Sequence, residues 1–170
     1  MEERKKYPLD QLLAIKQKRL EEAEKTLEEC RRTLAQEKEK LATAENKRDE
    51  VKDHKKDKLN QLRHKLDTGT TTDKIQQMKQ YLKVVDEKLK VEEVKVKEQE
   101  KQVDQAQKQV EAARQDLFKK QKDIEKLKIH HKEWTKEMKD LTEHEEGNEA
   151  DEMGNARFVM KKVSKRHKHG

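Results

Sequence analysis

Counting forward from Ile75 in alternating steps of three and four meets Met78, Leu82, Val85, Leu89, Val96, Val103, Ala106, Val110, Ala113, Leu117, Ile124, Leu127, Trp134, Met138 and Leu141. Only Glu92, Gln99, Lys120 and His131 break the series. An apolar repeat of this period marks the seam of a left-handed coiled coil, with the flanking Lys, Glu and Gln left to water. An earlier ladder runs at seven-residue spacing through Leu13, Leu20, Leu27, Leu34, Leu41, Arg48, Lys55 and Leu62, and Ala23, Cys30, Ala44 and Val51 supply its second row. It thins at Arg48, Lys55 and Lys58 and resumes one residue late at Leu59, Leu62 and Leu66, which predicts a local change of winding and the weakest pairing there.

Between the two ladders lies LDTGTTTDKI, residues 66 to 75. A helix ending near Leu66 can place Gly69 just past its C-terminus, and the next can open on Thr71, Thr72 or Asp73 as N-cap, with Gln76 three residues after Asp73. A loop this short favours antiparallel neighbours. The predicted fold is all-α: a long antiparallel two-helix coiled-coil hairpin with a helix over about 8–66, a turn over about 67–72 and a helix over about 73–146. Pairing outward from the turn sets Leu9 opposite roughly His130, so the second arm outruns the first. Residues 147–170 follow an acidic stretch (Glu143, Glu145, Glu146, Glu149, Asp151, Glu152) with a basic one (Arg157, Lys161, Lys162, Lys165, Arg166, Lys168) and are predicted to form a charged, flexible tail.

Composition changes the picture by excluding alternatives. With 47% charged and 29% hydrophobic residues, the 170-residue chain is too polar to close a sizeable globular core. A disordered polyelectrolyte would scatter helix breakers, yet Pro8 is the only proline and Gly69 the only glycine between residues 9 and 146. No apolar run is long enough to span a bilayer and the charged start lacks a signal peptide's apolar stretch, so a cytoplasmic protein is expected. Cys30 has no second cysteine to pair with and reads as a small seam residue.

No phosphate-cradling glycine loop, nucleophile elbow or pocketed carboxylate pair is present, so no catalytic residue, cofactor or small-molecule substrate is expected. His130 and His131 are adjacent and point in different directions on a helix, and His167 and His169 have no better support, so no metal site is expected. Apolar residues off the seam are more informative, because a pair of helices that only meet each other has no use for them. Tyr7, Pro8, Leu9, Leu12 and Ile15 cluster at the open end; Tyr81, Val84, Val91 and Val94 lie near the turn, beside Met78 and Lys79. Trp134, where the second arm loses its companion, either caps the seam or meets a partner. An alternative partner class is nucleic acid or an anionic membrane, held by the basic residues 157–168.

The opening KYPLDQLLAIKQKRLEEAEK, the turn LDTGTTTDKIQQMKQYLKVV and the later HHKEWTKEM and DEMG resemble the stalk and escort proteins of bacterial type III secretion, the YscO/FliJ family, and most of all its chlamydial CdsO members. The resemblance implies a non-enzymatic hairpin like the central stalk of rotary ATPases, at the hexameric secretion ATPase and peripheral to the inner membrane. It further implies a link to the export gate and, in some members, binding of secretion chaperones. On that footing a monomer would engage the ATPase pore through Tyr7, Pro8, Leu9, Leu12, Ile15 and Trp134, and the export gate through Tyr81, Val84, Met78 and Lys79.

Overall fold

A computed structural model describes residues 6–167. Two helices account for nearly all of it, α1 over Asp10–Thr68 and α2 over Thr72–His167. Along them the chain divides into two compact units: Glu21–Phe118, which holds the turn, and Met1–Leu20 with Lys119–Gly170.

The reversal follows from backbone chemistry. Gly69 has φ of +87°, a conformation that costs little without a Cβ, and its N–H donates to the Lys65 carbonyl at 3.0 Å, closing the last turn of α1. The Thr71 carbonyl then accepts the first bond of α2, from the Ile75 N–H. The turn itself is therefore only residues 69–71, tighter than the expected 67–72, because both helices extend into the threonine-rich stretch.

In the turn unit the seam expected from Ile75 onward faces α1. Val85, Leu89, Val96 and Ala106 are buried against a row that includes Ala23, Leu27 and Leu62. Antiparallel register is marked by His54 opposite Tyr81, Lys55 opposite Asp86 and Glu37 opposite Gln99. Burial of each such Leu, Ile or Val contributes on the order of 1.5 to 3 kcal/mol, against about 0.2 to 0.5 for an exposed helical ion pair. The seam therefore holds this unit together, and two helices can bury little more than that one stripe.

One expectation about α1 needs correction. Leu66 is exposed, so the ladder does not shift to it; Lys55 and Lys58 keep the original spacing by lying half-buried along the seam. Lys55 can do so because its Nζ pairs with the Asp86 carboxylate across the helices, and Lys58 because its ammonium stands 5.7 Å from the Tyr81 ring centroid. The polar breaks in the α2 series are similarly accommodated. Glu92 pairs with Lys95 on its own helix, and the Gln99 amide donates to both the Glu37 carbonyl and the Glu37 carboxylate. These bonds hold Glu37 below the usual carboxylate range, with the Gln99 hydrogen bond as the leading cause and Lys40 next.

In the other unit, Ile124 is the buried seam residue of α2, and Lys16 pairs with Asp123 at 3.2 Å across the two segments. Past Met138 every described residue is exposed, Leu141 included, which leaves the last expected seam position without a cover. Here the sequence reading also fell short at the C-terminal side. The flexible tail was expected from residue 147, whereas α2 continues through Gly147 and Gly154 to His167. Each glycine costs a helix only about 1 kcal/mol relative to alanine, and neither sits beside a proline or a competing turn. Lys168 and His169 lie outside the described residues.

Candidate partner-binding surfaces

At the start of the chain, Pro8 fixes a turn in which the Asp10 N–H donates to the Tyr7 carbonyl, and the Leu9 carbonyl takes the first bond of α1 from Leu13. That geometry sends Tyr7 inward. Its ring is 4% exposed, packed edge-on against His131 at 4.5 Å and Trp134 at 5.4 Å between centroids, with its hydroxyl hydrogen-bonded to His130 Nδ1. Burial, and secondarily the Asp10 charge, raise the Tyr7 hydroxyl above its ordinary value of 10.0, so it stays neutral.

This arrangement divides the sequence-derived set. Tyr7 was expected to touch a partner, but its ring is spent inside the unit, holding residues 7–9 onto α2. Trp134 is half-buried in the same cluster, and Leu9 is half-buried as well. Pro8, Leu12 and Ile15 remain exposed, Ile15 at 50%. Leu12 and Ile15 are three residues apart and so share a face of α1, beside the seam residue Leu13. Ile129, exposed on α2 in this unit, belongs with the off-seam residues and was missed, because a single apolar residue between charged neighbours carries little periodic signal.

In the turn unit, Tyr81 is 46% exposed although two α1 residues hold it: its hydroxyl is 2.8 Å from His54 Nε2, and Lys58 lies over its ring. Beside it an open groove of about 400 Å³ is lined by Lys58, Gln61, Lys74, Gln77, Met78 and Tyr81. Met78 is half-buried there and Lys79 is exposed. Val84 at 61% exposure and Val91 continue from Tyr81 along one face of α2 at three- and seven-residue spacing, forming an apolar stripe that the hairpin does not cover. Asp86, on the same helix, is held below its usual range first by the Lys55 hydrogen bond. Phe118 and Leu66 add exposed apolar surface in this unit that the sequence reading did not assign to partners.

Among the described residues no group of three or more His, Cys, Asp and Glu side chains is placed to hold a metal ion, and no helix is long and apolar enough to cross a membrane. A further groove, of about 430 Å³ near Gln36, Thr43 and Glu92, is lined by polar and charged side chains and Ala44.

Two helices that bury one seam against each other and leave apolar stripes outside it define a coiled-coil helical hairpin. The chain belongs to the YscO-like family, whose model matches residues 4–164. It is similar to a solved structure described as a YscO homologue from Chlamydia trachomatis, with 44% identity and a TM-score of 0.89 over 92% of this chain and 97% of that one. Among curated proteins no match is found. The family is one of type III secretion-associated proteins and is not a known family of enzymes.

Proposed function

We propose that this protein is a non-enzymatic stalk and escort component of a type III secretion system, acting as a monomer that couples the hexameric secretion ATPase to the export gate. The observation that carries this reading is the pair of uncovered apolar faces, one in each compact unit, on helices whose own seam is already satisfied. Leu12 and Ile15, with Pro8 beside them, engage the ATPase pore. Tyr81 and Val84, with Met78 and Lys79, contact the export gate, and the groove next to Tyr81 is also where a secretion chaperone would dock. Membership of the YscO-like family supports the setting.

The test is the ATP hydrolysis rate of the cognate ATPase with and without this protein, paired with co-sedimentation. Expected is a saturable rise in rate that Leu12→Ser with Ile15→Ser removes, while Tyr81→Ala with Val84→Ser leaves it intact and weakens gate binding. The converse pattern reverses the assignment of faces, and no rise with no association overturns the coupling role.

A further inference from the structure

Beyond Met138, α2 carries a segment that the coupling reading does not use. Met153, Ala156, Val159, Met160 and Val163 fall within an arc of about 120° when 3.6 residues complete a turn. Arg157, Lys161, Lys162, Lys165 and Arg166 occupy the rest of the circumference, with Phe158 among them, and residues 153–167 contain no Asp or Glu. All of these side chains are exposed and helical.

The stripe is not a continuation of the hairpin seam. Counted on from Leu141 in steps of four and three, the seam series reaches positions 145, 148, 152, 155, 159 and 162; of the stripe only Val159 falls on it, whereas Met153, Ala156, Met160 and Val163 follow 152, 155, 159 and 162 by one residue. One residue is about 100° around the helix, so a separate face is presented. Its charge identifies the occupant. A helix seeking a coiled-coil partner ordinarily flanks its stripe with both signs, but here every flanking charge is positive, so the complementary surface is anionic. An anionic surface that also accepts an apolar stripe is a lipid bilayer; a nucleic acid would neutralise the lysines and leave Met160 and Val163 in water.

We propose that residues 153–167 form an amphipathic membrane-surface helix that lies on anionic lipid, with the Met–Val stripe entering the headgroup–acyl boundary. The stripe has no Leu, Ile or Trp, so charge dominates the attachment and zwitterionic lipid does not suffice. The acidic residues 143–152 set the inner border of the contact by repulsion.

The test uses the full chain alone with vesicles, so its outcome is independent of any ATPase or gate. Co-sedimentation is measured with phosphatidylcholine vesicles and with phosphatidylcholine mixed with phosphatidylglycerol, at low and high salt. Expected is binding at least about tenfold stronger to the anionic vesicles and lost at high salt, since each cation near such a surface contributes several-fold. Met160→Ser with Val163→Ser, which leaves the charge unchanged, and Lys161→Gln with Lys162→Gln should each reduce it about tenfold. Both pairs lie outside the hairpin seam, and an unchanged thermal melt confirms the fold. Equal or absent sedimentation with the two lipids overturns the proposal. So does loss with the glutamines but none with the serines, the pattern of a simple polyanion binder, which a labelled DNA duplex would then reveal.

Discussion

Tyr7 shows how one residue can have two sequence readings that only geometry separates. As an aromatic beside a proline near the start of the chain it suits a partner contact, yet its ring lies between His131 and Trp134 and its hydroxyl meets His130. Tyr7→Ala should therefore free residues 7–9, seen as lost amide protection at the start of α1 and a red-shifted Trp134 emission; Tyr7→Phe, which keeps the ring, should leave both nearly unchanged. Glu37 and Asp86 make the other residue-scale prediction. Their carboxyls are held below ordinary values of 4.5 and 3.8 by hydrogen bonds to Gln99 and Lys55. A depressed folded value stabilises the native state at pH above the unfolded value, and that contribution is lost as pH falls through the folded one. Thermal melts should thus hold steady from neutral pH to about pH 5 and decline below it. In the double variant Glu37→Gln with Asp86→Asn, part of that acid limb should be gone.

At the scale of elements, the hairpin was legible wherever period and punctuation agreed. The 3.5-residue series from Ile75 to Met138 coincides with the covered side of α2, polar breaks included, because a two-helix fold offers one dry stripe and any other phase would expose it. Gly69 was legible for a similar reason, since its left-handed φ is the one conformation at the turn that other residues resist. Gly69→Ala should cost about 1 kcal/mol in thermal or denaturant unfolding, all of it backbone strain because a methyl group there would meet nothing within 4 Å. Leu27→Ala, in the buried row, should cost about 2 to 5 kcal/mol by the same measurement. What sequence did not disclose were features without a period. Leu66 matched a ladder that Lys55 and Lys58 in fact continue with their aliphatic stems, and the end of α2 was placed near residue 146, before Gly147, because composition changes there although helical geometry does not. Leu12, Ile15, Tyr81 and Val84 could be found in advance as off-seam apolar residues, but Tyr7 could not be separated from them without knowing which way the Pro8 turn directs its ring.

For the whole chain, the question is why two seam-bearing helices choose each other over the helices of a second copy. The short turn favours the intramolecular pair by holding the arms at high effective concentration. It does not by itself exclude a swapped dimer, in which every seam contact is remade between copies. The Glu37–Gln99 pair discriminates against a different competitor, the slipped pairings between copies, because its hydrogen bonds form only when these two positions meet, and a slipped arrangement leaves a half-buried amide and carboxylate without partners. Replacing both, Glu37→Leu with Gln99→Leu, removes that penalty and adds apolar seam. The variant should melt at a higher temperature than the wild-type chain, since apolar packing replaces polar groups whose desolvation offsets most of their attraction. It should also acquire dimers that grow with concentration in sedimentation equilibrium, while the wild-type chain stays monomeric at the same loading. A variant that is both more stable and strictly monomeric would show that the turn alone enforces the hairpin, and that Gln99 is present for a contact outside it.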